Sequence, residues 1–388
     1  MAVADDAGVG ARGWGMNEIG DAMWDAVVVG AGPAGAVSAY LLARRGRRVL
    51  LLEKSAWPRE KVCGGCVNAA AVGMLREAGL GEVLRGGVRL NQFLLSVGKR
   101  ELAVELPEGV AISRAELDAR LVIAAQQAGV RFVARAAVKL DWANVGEDFR
   151  HLRVMSEWRE ISLRARLVLA CDGIAGTVLE SEPWAGWRVA RDAWFGVSTM
   201  VEGDLIARGT IGMRVGRGGY AGLVRMADGR VHVAAALDPA ACRAAGGPAR
   251  MVGRIVGASL DDSRFQGTGL LTRRRVKLGG HRVLAVGDAC GYVEPFTGEG
   301  IAWAVRGAVA AAEILAGEAR VWEPEIVATW EERHAAVVRT HWCRALRRLA
   351  RWPMAAGVGV TIGNILPAVA RGIGLRISGL ARVEGVVT

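Results

Sequence analysis

The segment Asp25 to Lys54, DAVVVGAGPAGAVSAYLLARRGRRVLLLEK, constrains the fold more than any other part of the chain. Ala26 to Val29 is an apolar run too short for a helix and suited to a buried strand. Gly30, Gly32 and Gly35 follow as G-x-G-x-x-G, a helical pattern runs through Leu41 and Leu42, and Gly46 ends it. A second buried strand, Val49 to Leu52, leads to Glu53. The glycines have separate physical roles. Gly30 makes the turn, Gly32 admits a pyrophosphate to the backbone, and Gly35 permits close helix–strand contact. The helix N-terminus offers unpaired N–H groups and a positive dipole end to phosphate. Glu53 stands about 20 residues on, where a carboxylate accepts a ribose hydroxyl and disfavours a 2′-phosphate. The segment therefore predicts a βαβ unit for a dinucleotide with an unmodified ribose, FAD or NAD. Ala34 and Lys54 are counted with Gly30, Gly32, Gly35 and Glu53 as cofactor-binding.

A chain of 388 residues has room for two or three domains. Its net charge of +11 favours acidic surfaces such as anionic lipid or phosphorylated ligands. No nucleic-acid-binding motif accompanies the charge, so nucleic acid is not an expected partner. The six cysteines form no disulfide framework, fit a reducing compartment and, without a second pair at ligand spacing, predict no metal site. No stretch reads as a membrane-spanning helix or a secretory signal, and a cytoplasmic location is expected. Residues 1–22 read as a disordered, glycine-rich extension, with Met16 or Met23 as alternative starts.

Further along, Ala69 to Ala78 is helix-like, and Gln92 to Leu106 reads as a strand pair turning at Gly98–Lys99. Ser113 and Glu116 form a capping box for a helix from Arg114 to Ala128. A small β meander is expected over residues 136–165. Strand-like alternation dominates residues 184–275, with a hairpin signal at Asp228-Gly229 and a helix within 239–258. The expected organisation is α/β: a Rossmann-type FAD-binding domain with a parallel sheet (23–183 and 276–322), an inserted antiparallel β substrate domain (184–275) and a helical C-terminal tail (323–388).

Two further motifs end buried runs: Asp172-Gly173 after Leu167–Ala170, and Gly287-Asp288 after His281–Val286. In this order the three motifs resemble the hydroxylase-like branch of the glutathione-reductase-type flavoproteins. Within it, WPREKVCGGCVN and VGDACGYVEPFTGEGIAWAV are similar to segments of the geranylgeranyl reductase family. The resemblance implies FAD, with Asp288 on its ribityl chain and Asp172 and Gly173 helping to place the pyrophosphate. It sets Pro295 to Gly300, including Gly298, beside the isoalloxazine, with the helix expected from about Gly298 to Leu315, which carries Gly300 and Ile301, pointing its N-terminus at the flavin's N1–O2 edge. Arg114 resembles an arginine that approaches the cofactor, although a solvated first-turn residue reads equally well; Arg59 and Lys61 stand the same way.

Cys63-Gly-Gly-Cys66 has three readings: a flavin or substrate loop with Cys63 near the ring, inert packing, or dithiol chemistry. Cys63 and Pro295 are taken as catalytic candidates. The chain lacks a second Rossmann fingerprint, which argues against disulfide reductases. NAD(P)H would bind transiently, or a reductase partner would supply electrons. The paired-tryptophan motif of flavin halogenases is absent near Trp187. The histidines have no ligand or triad spacing and read as core or surface. Trp194, Phe195 and Tyr220 are placed to line an apolar pocket.

The activity these features imply is FAD-dependent reduction of a carbon–carbon double bond in a hydrophobic small molecule. A flavin-dependent monooxygenase and an electron-transfer flavoprotein are the alternatives. A stripe of Val338, Trp342, Ala345, Leu349 and Trp352, with arginines beside it, reads either as a basic helix lying on an anionic membrane or as a helix packed on the FAD domain.

Overall fold

The computed structural model describes residues 19–20, 22–141, 147–156, 159–294, 298–316, 322–338 and 341–380. Ten helices of six residues or more serve as landmarks. These are α1 (Pro33–Ala43), α2 (Ala69–Glu77), α3 (Arg114–Gln127), α4 (Pro239–Ala244), α5 (Pro248–Val256), α6 (Gly300–Ile314), α7 (Glu325–Val337), α8 (His341–Ala350), α9 (Pro353–Ile365) and α10 (Pro367–Ile377).

The βαβ unit forms as its sequence dictates. Strands Ala26–Val29 and Val49–Leu52 lie parallel at the centre of a six-stranded sheet. Val168–Ala170 and Arg131–Val133 extend the sheet on either side, and Val283–Ala285 continues it, all parallel. Both faces are covered, so Val27, Val28, Leu50 and Leu51 are wholly buried. Each such side chain contributes about 1.5–3 kcal/mol of burial free energy. Helix α1 is apolar all round because it is enclosed by the sheet, α3 and α6. The N-cap half of the capping box forms at α3, where the Glu116 amide donates to Ser113 Oγ at 3.1 Å, while the Glu116 carboxylate pairs with Arg120.

The β meander is a four-stranded sheet, ordered Met23–Trp24, Arg159–Ala165, Arg150–Ser156 and Ala137–Leu140. Ile19, inside the expected disordered extension, is buried, and its carbonyl accepts the Trp24 indole N–H at 3.1 Å. Residues 1–18 lie outside the described residues.

The sheet built on the expected substrate domain, the substrate sheet for short, is larger than the inserted segment. It has eight strands, of which Val88–Val97, Arg100–Ala111 and Cys66–Val67 come from well before residue 184. The seam between the two sets is the parallel pairing of Val88–Val97 with Thr210–Gly216. The domain boundary expected at 184 therefore divides the chain but not the sheet. The strand pair was legible in sequence, yet its partners were not, because parallel pairing leaves no local turn signal.

The two faces of this sheet have different covers. Val231, Val233, Ala235 and Leu237 pack toward α4 and α5. On the other face, Phe93, Met213, Tyr220 and Ala236 join the buried residues Ala356, Val360 and Ile377 of the tail.

Candidate flavin site

A cleft enclosing about 1430 Å³, its open mouth included, lies between the parallel sheet and the second face of the substrate sheet. Its far wall is apolar, with Val197, Ile211, Met213, Gly222, Ala234 and Leu271 among its lining residues.

The near wall is the N-terminus of α1. Gly32 is the N-cap, it offers no side-chain cap, Pro33 follows, and the first turn carries no acid. The unpaired N–H groups of this end face the cleft through Gly32 and Ala34. A Cβ on Gly32 would stand 3.4 Å from Arg114 Nη2 and 3.7 Å from Arg59 Nη2. Two guanidinium groups thus close over the turn where the motif expects a pyrophosphate. Gly30 and Gly35 have the scaffold roles their spacing implies. Gly30 sits at φ +101°, and a Cβ there would meet the Cys171 carbonyl at 2.5 Å; one on Gly35 would meet the Gly30 carbonyl at 1.9 Å.

A buried charge network orients the two arginines. Asp118, fully buried, accepts from Arg114 at 3.0 and 2.8 Å and from Arg59 at 2.9 Å. Burial works against the Arg114 charge, but Asp118 holds the guanidinium above its ordinary range. Arg59 also donates to Glu53 at 3.1 Å. Burial would raise the Glu53 carboxyl; the charge of Arg59 and the amides of Ser55 and Ala31 outweigh it and lower it instead. Those three donors occupy three of the carboxylate's roughly four acceptor positions and leave one for a ribose hydroxyl. Sequence reasoning passed over Asp118, although its i,i+4 spacing from Arg114 was the available signal.

Asp172 accepts from the Val178 amide at 3.0 Å, while its Oδ1 is buried without a partner among the described residues. Burial raises its carboxyl, against the Val178 hydrogen bond. Gly173, at φ +79°, lines the cleft, and a Cβ on it would lie 2.8 Å from Lys61 Nζ. Asp288 lines the same cleft; burial raises its carboxyl against the charges of Lys61 and Arg114. Burial and Arg114 lower the Lys61 ammonium against the pull of Asp288. Gly287 needs its glycine, at φ +67° and with a Cβ 2.6 Å from that of Ala34.

Gly298, Gly300 and Ile301 bring the N-terminus of α6 to the cleft, and its N-cap Glu299 supplies no side-chain cap. Such an end stabilises an anion by about 0.3–1 kcal/mol, and by up to about 2 when partly buried. Cys63 lines the cleft beside Cys66, both thiols are free, and burial pushes the Cys66 thiol well up. Lys54 is exposed and does not line the cleft. Pro295 lies outside the described residues. Among the described residues no group of acids, cysteines and histidines could hold a metal.

Tyr292 and Glu294 were not anticipated. Tyr292 lines the cleft, and burial keeps its phenol protonated. Glu294 is wholly buried, and burial raises its carboxyl against the charges of Arg351 and Arg347. Arg351 donates to it at 3.4 Å and to Asp192 at 2.6 Å, and Arg347 bonds Asp192 at 3.1 Å. These two arginines, beside the stripe read either as lying on a membrane or as packed on the FAD domain, therefore turn inward rather than into solvent.

The donor set fits FAD. An uncapped helix end under two arginines suits the diphosphate, Glu53 has a free acceptor position, and Asp172 and Asp288 offer further acceptors. The fold and this site define an FAD-dependent oxidoreductase. Residues 23–202 match the sequence profile of a family described as FAD binding domain. The chain is 28% identical over 346 residues to menaquinone reductase of Mycobacterium tuberculosis, covering 81% of this chain and 82% of that one. It is 26% identical over 361 residues to digeranylgeranylglycerophospholipid reductase of Methanocaldococcus jannaschii, covering 84% and 86%. A flavoprotein/dehydrogenase from Cytophaga hutchinsonii superposes with a TM-score of 0.76 at 18% identity, covering 92% of this chain and 93% of that one.

Proposed function

We propose that this protein reduces a carbon–carbon double bond in a polyisoprenoid-bearing lipid. The observation that carries the reading is the two near-full-length relatives, both named as reductases of lipids that bear such chains. The apolar far wall of the cleft supports it, because a hydrocarbon chain needs area and shape there rather than hydrogen bonds.

When bound, FAD in its reduced form supplies the hydride. Glu53, Arg59, Arg114, Asp172 and Asp288 would hold the cofactor, and the N-terminus of α6 would favour negative charge at its end of the cleft. NAD(P)H or a reductase partner would restore the electrons. The strand residues Ile211, Met213, Gly222 and Ala234 would orient the chain and exclude water. Reduction of the double bond also requires a proton. Cys63 Sγ and Tyr292 Oη are protonatable atoms on the wall. We assign delivery to Cys63, which stands on the loop that begins the substrate sheet.

Anaerobic incubation with dithionite, FAD and either menaquinone or a geranylgeranyl-bearing phospholipid tests the reading. After the quinol is reoxidised in air, the expected result is a product heavier by two hydrogens per reduced side-chain double bond, absent from a control without the protein and seen by mass spectrometry. A protein that leaves both side chains unchanged without oxygen, yet adds oxygen to either lipid in air, would be a monooxygenase instead.

A further inference from the structure

The tail inverts the usual packing of an amphipathic helix. Helices α9 and α10 turn small residues inward. A Cβ on Gly363 would stand 2.7 Å from Leu102, and one on Gly374 would stand 2.8 Å from Val104, both on strand Arg100–Ala111. Ala356 and Val360 are buried on the same side. Most of the large apolar residues face outward, with Val360 and Ile377 the buried exceptions. Val358, Ile362 and Ile365 form an i, i+4, i+7 stripe that is 55%, 43% and 70% exposed, and Trp352 beside it is 72% exposed. Seven of the twelve exposed large apolar residues among the described residues fall between 352 and 380. Scattered exposure is ordinary, but concentration on one surface marks a contact site.

Charge selects the occupant. Residues 341–380 contain six arginines and no aspartate or glutamate. Arg347 and Arg351 are tied to Asp192 and Glu294, while Arg344, Arg348 and Arg371 remain exposed. A second copy meeting this face across a two-fold axis would set arginine against arginine. Anionic headgroups over hydrocarbon match both halves of its chemistry.

Length fixes how deep the contact goes. Helix α9 has 13 residues and α10 has 11. At 1.5 Å per residue these are about 20 and 17 Å, against roughly 30 Å of hydrocarbon core. A bend of 115° separates Ala356–Ile365 from Ala370–Ile377, so together they make a wedge rather than a rod.

The geometry points to α9 and α10 as a docking surface for an anionic lipid bilayer, seated shallowly in one leaflet. Trp352, Ile365 and Leu366 enter the acyl boundary, and Arg344, Arg348 and Arg371 meet the phosphates. This surface shares Trp352, Arg344 and Arg348 with the stripe singled out in sequence and adds the outward faces of α9 and α10, while α8 is held to the body through Arg347. The buried side of α9 and α10 joins the same apolar cluster as the cleft residues Phe93, Met213 and Tyr220. Docking would therefore hold the substrate sheet close to the membrane.

The test is co-sedimentation of the flavin-loaded full chain with vesicles of phosphatidylcholine, alone or mixed with phosphatidylglycerol. Neither the reaction nor its substrate enters the measurement. The protein is expected to pellet with the anionic vesicles, more weakly at high salt, and little with neutral ones. Ile365→Ser combined with Leu366→Ser should abolish binding while flavin absorbance and Tm stay unchanged. Arg344→Gln with Arg348→Gln should weaken anionic binding about 25-fold, at about fivefold per arginine. Three outcomes would overturn the proposal: wild type left in the supernatant with anionic vesicles, folded variants that bind as wild type does, or a solution dimer that the Ile365/Leu366 pair dissolves. If the serine variant fails to fold, the arginine variant alone decides.

Discussion

Replacing Asp118 by asparagine tests the network that shapes the flavin site. The carboxylate is fully buried and accepts three hydrogen bonds of 2.8–3.0 Å from two guanidinium groups. Arg59 keeps Glu53 as a partner, but Arg114, only 8% exposed, is left without a hydrogen-bonded carboxylate. Breaking a buried ion pair costs about 3–5 kcal/mol, and an amide oxygen retains part of the hydrogen bonding, so the loss is set at about 3 kcal/mol. At about 1–2 °C per kcal/mol for a chain of 388 residues, the apoprotein should melt about 3–6 °C lower. Urea titration followed by tryptophan fluorescence reads the free energy directly. Both arginines also lie over the N-terminus of α1, where the diphosphate supplies a second anion. Saturating FAD should therefore raise the Tm of the variant by more than it raises that of the wild type. A loss below about 1 kcal/mol would place the network with ordinary surface pairs and refute the reasoning.

Gly32→Ala should fold and lose flavin affinity, because its Cβ meets only arginine tips at 3.4 and 3.7 Å, whereas Gly30→Ala, driven into the Cys171 carbonyl, should give little soluble protein. Absorbance of the purified chains separates the two outcomes. Cys63→Ala should keep the flavin and lower single-turnover reduction by about 100-fold, and Tyr292→Phe should not. Equal effects of the two would move proton delivery off the thiol. Burial holds His232 un-ionised in the fold, its pKa lowered to about 4, whereas the unfolded side chain titrates near 6.5. Its stabilising contribution is then complete above about pH 6.5 and declines as pH falls toward 4. His232→Gln should flatten that part of the stability profile, measured by urea midpoints from pH 4 to 7.

Much of this architecture could be read from local pattern. Ala26–Val29, the glycine turn, α1 and Val49–Leu52 each carry their own signal within a few residues, and burial on both faces of the sheet enforces it. Ser113 announces α3 in the same way. What local pattern does not carry is who sits beside whom. The pairing of Val88–Val97 with Thr210–Gly216 spans more than a hundred residues, so the substrate sheet was read as one insertion. Asp118 went unnoticed because its importance arises only when Arg59 folds onto it. Arg347 and Arg351 were assigned to the surface because the acids that receive them, Asp192 and Glu294, are distant in sequence.

Those last pairs bear on how the protein tolerates shortening. Arg351 reaches a carboxylate with no solvent exposure, and its guanidinium also stacks 4.4 Å from the Trp194 ring on the substrate side. A chain ending near residue 340 would strand Glu294 without its counter-cations and uncover Phe93, Val97 and Leu102. What looks like a removable appendage is thus the closing piece of the eight-stranded sheet, and a trimmed version engineered for easier handling would forfeit the chamber it was meant to reveal.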